Sequence, residues 1–130
     1  MTTVQRVAQI LGAVFLLVGL LGFVAGGMSM ESDPAEAPHL LGLFPVNVLH
    51  NVVHLLFGIW GLIASRTWDG ARAYSLVAGG TYLVLAVLGF LVPNTFGLIP
   101  IGGNDIWLHA LLGAALLGAG VTAGARPTAA

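Results

Sequence analysis

The sequence predicts an all-α, polytopic membrane protein: a four-helix transmembrane bundle built from two related two-span hairpins, with both termini cytoplasmic. Three observations predict it. The 130 residues are 58% hydrophobic and only 7% charged, with a mean hydropathy of +0.99. Soluble domains carry about 25% charged residues, and a water-soluble chain this small has too little interior to hide so much apolar surface. Four apolar runs approach the roughly 20 helical residues that cross a ~30 Å hydrocarbon core. Finally, all four basic residues, Arg6, Arg66, Arg72 and Arg126, fall where a four-span path returns to one side. The positive-inside rule makes that side cytoplasmic.

The first span is expected over 7–27, an apolar run broken only by Gln9. It exceeds the apolar core of about 7–15 residues typical of a cleaved signal peptide. Residues 28–39 carry Glu31, Asp33, Glu36, Pro34 and Pro38 and no Lys or Arg, which reads as an outward acidic loop. The second span, 46–64, follows Pro45, a favoured first-turn residue. Residues 66–72 read as a short basic turn with Trp68 at the interface. The third span, 74–92, ends at Pro93, which cannot continue a helical hydrogen-bond ladder. The glycine-rich loop 95–103 lies at the membrane surface. Asn104 or Asp105 then caps a fourth span over 106–124.

The two halves look like copies, 7–66 and 74–126. Gly42-Leu43-Phe44-Pro45-Val46 aligns with Gly97-Leu98-Ile99-Pro100-Ile101 at an offset of 55. The same offset carries His54 to Gly58 onto His109 to Gly113 and sets His50 opposite Asp105. Leu21-Gly22-Phe23 meets Leu88-Gly89-Phe90 at an offset of 67, and Gly12 meets Gly79. Each copy spans the membrane twice, so the copies share topology about a pseudo-twofold axis along the membrane normal.

The chemistry-bearing residues concentrate on spans two and four. Span two offers Asn47, His50, Asn51 and His54; span four offers Asn104, Asp105 and His109. His50 and His54 are four apart, as are Asp105 and His109, so each pair shares a helix face. A central Asp facing lipid costs about 2.5–3.5 kcal/mol on insertion scales, so this polar cluster belongs inside, near the outer side. Gly58, Gly61 and Gly113, with the row Ala110, Ala114 and Gly118, predict close approach of these two helices.

Three readings compete. One is a hydrogen-bonded clasp in a structural or accessory subunit of a membrane assembly, holding no cofactor. The second is a metal site of His50, His54, Asp105 and His109 for zinc or copper, with a haem between His54 and His109 as a variant. The third is proton or small-solute transport through the Asp–His chain. An enzyme is the weaker expectation, since no Ser, Thr or Cys stands within a helical turn of these histidines and the chain has no cysteine. Net charge is −1, so nothing points to nucleic acid. The expected partners are the bilayer and a homo-oligomer or larger membrane complex. Trp107 and Tyr74 read as interface anchors, Trp60 and the phenylalanines as packing. His39 reads as a solvated loop residue, and Met28 and Met30 are too few for a copper-binding run.

Two phrases are specific together: Leu43-Phe-Pro-Val-Asn-Val-Leu-His-Asn-Val-Val-His-Leu-Leu-Phe-Gly58 and Gly97-Leu-Ile-Pro-Ile-Gly-Gly-Asn-Asp-Ile-Trp-Leu-His109. They resemble the bacterial four-span family catalogued as domain of unknown function 4383, over nearly the whole chain. The resemblance implies a multi-pass protein of the bacterial cytoplasmic membrane and supplies no activity.

Overall fold

The computed structural model describes residues 1–128 and shows four helices: α1 (Thr3–Gly26), α2 (Val48–Ala64), α3 (Trp68–Leu91) and α4 (Asp105–Val121). A two-residue antiparallel pair, β1 (His39–Leu40) with β2 (Phe44–Pro45), precedes α2, and a 3₁₀ turn over Thr95–Gly97 precedes α4. α1 and α3, at 24 residues each, are long and apolar enough to cross a bilayer, whereas α2 and α4 are apolar helices of 17 residues. Their outer faces suit lipid: Val24 on α1 is 83% exposed and Phe90 on α3 75%. Contiguous apolar exposure of this kind marks a membrane or partner surface rather than a water-facing one.

Caps explain where the helices differ from the expected spans. α1 starts at Thr3 because Thr2 and Gln5 form a capping box. α3 begins at Trp68 because the Thr67 side chain accepts from the Gly70 N–H, so the basic turn shrinks to the few residues before it. Pro45 does not open α2. It pairs with His39 in the short hairpin, and Asn47 caps the helix by accepting the His50 N–H at 2.9 Å. Asn104 stands at the cap position of α4 without a capping hydrogen bond.

The helices pack in pairs, α1 along α2 and α3 along α4. Glycine sets both crossings. A Cβ on Gly12 would stand 2.8 Å from the Leu62 amide nitrogen, and one on Gly113 would stand 2.9 Å from that of Leu83. Thus Gly58 and Gly61 serve the α1 contact and Gly113 the α3 contact, not the approach of α2 to α4 expected from the sequence. Nor does the row Ala110, Ala114 and Gly118 pack inward: Ala114 and Gly118 are exposed, and nothing lies within 4 Å of a Cβ built on Gly118. α2 and α4 meet instead through large side chains.

The core is a column of rings bedded in small residues. Phe15 and Tyr82 stack at 4.9 Å between centroids, beside Ala8, Ala71 and Ala78. Tyr74, expected at the interface, is fully buried against the edge of Trp60, in space that Gly61 leaves open. The amino end, the α2–α3 turn and the carboxyl end gather at one end of the bundle. Gln5 donates to the Ser65 carbonyl there at 3.1 Å, and Arg126 pairs with Asp69 at 3.1 Å.

At the opposite end, two loops of the same form lead into α2 and α4. The Val46 N–H donates to the Pro38 carbonyl at 2.8 Å, and the Ile101 N–H to the Pro93 carbonyl at 2.8 Å. Gly42 donates to His39 as Gly97 does to Asn94. Leu41 and Phe96 both hold φ of 56°, each followed by a glycine at positive φ. For bulky residues this left-handed conformation is strained. The loops also trade bonds: the Asn47 Nδ2 donates to the Leu98 carbonyl at 2.8 Å, and the Asn104 Nδ2 to the Leu43 carbonyl at 3.1 Å.

Candidate metal centre

Two helix starts, folded back by these loops, aim their first two turns at the bundle centre. A four-residue step stacks side chains one turn apart. His50 therefore sits above His54 on α2, their ring centroids 4.6 Å apart, and Asp105 sits one turn before His109 on α4. All four side chains are buried, none more than 5% exposed. His50 and His109 approach to 6.0 Å between ring centroids. One ring nitrogen each from His50, His54 and His109 lies within 4.8 Å of the others.

The His50 ring has a fixed tautomer when neutral. Its Nδ1 lies 3.0 Å from the Pro45 carbonyl oxygen. A carbonyl only accepts, so Nδ1 carries the proton and Nε2 presents a lone pair. That Nε2 stands 3.5 Å from Oδ2 of Asp105 without an aligned hydrogen bond, so that on the neutral ring a lone pair faces the carboxyl oxygen. The Nδ1 atoms of His54 and His109 are likewise buried without a hydrogen-bond partner among the described residues. Buried polar atoms are normally paired, and each orphan costs about 1–3 kcal/mol. Four in one cluster describe a group of donors waiting for a shared partner.

The other expected cluster residues stand apart. Asn47 is spent on the α2 cap and the opposite loop. Asn51 is wholly buried but turns to α1, pressed against Gly22, with both amide atoms unpartnered. Asn104 is exposed and takes the Trp107 indole N–H at 3.1 Å. His39 is not among the converging imidazoles. Two aromatic residues frame the site: Phe15, which reads from the sequence as packing, and Tyr82, which no sequence signal singled out. Phe15 stacks on His54 at 5.9 Å, and Tyr82 meets His109 edge-on at 5.2 Å. Phe15 and Tyr82 lie 67 residues apart, the offset expected between spans one and three, and His54 and His109 lie 55 apart.

Two clefts reach the cluster from the sides. One, of about 210 Å³, opens between α2 and α3 past Val53, Phe57, Thr81 and Leu85 and ends on His50, His54 and His109. The other, of about 150 Å³, opens between α1 and α4 past Val18, Leu108 and Phe44 and ends on His50, His54 and Asp105. Val18 and Leu85 lie 67 apart, and Val53 and Leu108 lie 55 apart, the two offsets expected of a duplication. Both volumes are below the roughly 300 Å³ from which cofactor pockets run, and Phe15 and Tyr82 close the gap between the halves. A haem, one of the expected variants, has no slot here. Zinc or copper suits the donor set.

The chain matches, over residues 5–122, a family described as Domain of unknown function (DUF4383). No curated protein and no solved structure matches it.

Proposed function

The chain belongs to the DUF4383 family of bacterial membrane proteins, and from its geometry we propose that it binds a zinc or copper ion inside the bundle. The observation that carries this reading is the convergence of three buried imidazole nitrogens within 4.8 Å. Around a tetrahedral zinc with Zn–N of about 2.0–2.1 Å, ligand nitrogens stand ~3.4 Å apart. Small rotations of the His54 and His109 rings cover the difference. The Pro45 carbonyl holds His50 by its other nitrogen, the outer-shell arrangement that orients metal-bound histidines. Asp105 beside His50 adds a negative charge that offsets the cation.

A hydrogen-bonded clasp in an accessory subunit is the simpler alternative. It would leave its polar atoms paired, and here His50 Nε2, His54 Nδ1, His109 Nδ1 and Asp105 Oδ2 have no partner. For that reason the metal reading is preferred.

We place the protein in the cytoplasmic membrane with all four helices crossing. At 1.5 Å per residue, α2 and α4 span ~25 Å, and the folded loops before them complete the passage. The arginine-bearing end faces the cytoplasm. The recurring loop bonds, glycine crossings and clefts support a duplication of one hairpin, with the metal site on the pseudo-twofold axis between the copies.

The test is elemental analysis of full-length protein purified in detergent and reconstituted with zinc or copper. One ion per chain is expected. His54→Ala and His109→Ala should weaken retention at least tenfold while the protein stays folded. Protein that remains free of metal after reconstitution would overturn the proposal.

A further inference from the structure

We infer that the paired clefts admit a small, neutral, hydroxyl-bearing aromatic molecule from the bilayer, a phenol-type ring, whose hydroxyl lands on the histidine cluster. Size comes first. Clefts of about 210 and 150 Å³ match a single ring, since an apolar cavity of ~150 Å³ holds benzene. Access comes second. The mouths are formed by half-buried side chains on the sides of the bundle, such as Val53 with Leu85 and Val18 with Leu108. Such a mouth faces the acyl chains that flank a spanning bundle, so a lipid-soluble ligand reaches it laterally.

Charge comes third. Arg6 near the start of α1, Arg66 in the α2–α3 turn, Arg72 in the first turns of α3 and Arg126 at the carboxyl end all lie outside the clefts, whose walls above the histidine and aspartate floor carry no charged side chain. An anion entering them would lose its hydration and meet no cationic partner. The hydroxyl is specified by the cleft floors. They present His50, His54, His109 and Asp105, with unpartnered Nε2, Nδ1 and Oδ2 atoms. The lone pair of His50 Nε2 accepts an O–H that apolar walls cannot, and each neighbouring imidazole offers one acceptor nitrogen when neutral. The flat walls suit a ring: Phe57 and Tyr82 line one cleft and Phe44 the other.

Binding of this kind goes beyond the metal reading, because it needs only the clefts and the imidazoles. The probe is 4-fluorophenol, followed by ¹⁹F NMR with the full chain in lipid nanodiscs against empty nanodiscs. Saturable binding above bilayer partition is expected, with ¹⁵N shifts at His54 and His109. 4-Fluorotoluene, without the hydroxyl, and charged 4-fluorobenzoate should bind at least tenfold more weakly. Filling the clefts with Val18→Phe and Leu85→Phe together should weaken the phenol at least tenfold. Uptake that stays linear and equal to empty nanodiscs, or a filled double variant with unchanged affinity, would overturn the inference. If the double variant does not fold, the ¹⁵N-histidine shifts of the wild-type chain decide: their absence at saturating probe is the overturning result. Each titration is run on zinc-loaded and chelator-treated protein, with metal content measured separately. Saturable binding without retained zinc sinks only the metal reading; retained zinc with linear uptake sinks only the ligand.

Discussion

The Nε2 of His50 stands 3.5 Å from Oδ2 of Asp105, both buried where the first turns of α2 and α4 meet. The two residues lie 55 apart in the sequence, and neither atom has a hydrogen-bond partner among the described residues. A lone pair and a carboxyl oxygen side by side need something positive between or beside them. A proton or the proposed metal ion would meet that need, and the next three tests follow from the site and the packing that holds it.

Asp105→Asn keeps the shape and removes the charge. Its Oδ2 stands beside the metal-facing Nε2 of His50, so the charge removed is one next to the ion itself. The variant should retain the fold, by circular dichroism, and lose zinc or copper affinity roughly tenfold or more, a change of about 1.4 kcal/mol or above, in a chelator competition. An unchanged affinity would remove Asp105 from the site.

Adjacent glycines on α3 should respond in opposite directions. A Cβ on Gly79 would collide with the Leu117 backbone, whereas one on Gly80 meets nothing within 4 Å. Gly79→Ala should therefore lower the unfolding temperature in detergent by pushing α3 from α4. Gly80→Ala should hold or raise it, since Ala is favoured over Gly in a helix by about 0.5–1 kcal/mol. Equal effects would mean that the crossing is misplaced.

Asn47 closes α2 and ties it to the opposite loop. Asn47→Ala loses the cap and the bond to the Leu98 carbonyl. A lost cap costs ~1 kcal/mol and a lost buried hydrogen bond ~1 kcal/mol more. The expected outcome is about 2 kcal/mol of destabilisation, with His50 less well held and metal affinity lowered alongside. Thermal unfolding and metal titration of the same sample check both.

Sidedness is accessible because the chain has no cysteine. Ser32→Cys, in the acidic loop, should react with a membrane-impermeant thiol reagent on intact spheroplasts. Thr128→Cys should react only after the membrane is opened. The reverse pattern would invert the proposed orientation.

Much of this site was legible in the residues themselves. His50 with His54, and Asp105 with His109, declare a common helix face by their four-residue step, and hydrocarbon forces such a face inward. Which small residues face a partner was not legible. On helices as uniformly apolar as α2 and α4, periodicity does not separate a lipid face from a buried one. Gly58 and Gly113 were therefore assigned to the wrong neighbours, and the row Ala110, Ala114 and Gly118 to the interior. Tyr74 was read as an interface residue because its polar tip favours that place, yet the gap at Gly61 draws the ring inside. The hairpin joining His39 to Pro45 has two-residue strands, too short to carry an alternating pattern. The roles of Phe15 and Tyr82 were hidden because an aromatic ring on an apolar helix ordinarily means packing.

The most direct measurement is X-ray absorption at the zinc edge on full-length protein loaded with one equivalent of zinc. Three imidazole nitrogens at about 2.0–2.1 Å, reduced to two in His109→Ala, is the predicted result. A first shell of oxygen alone, unchanged in His109→Ala, would contradict a metal centre at this cluster.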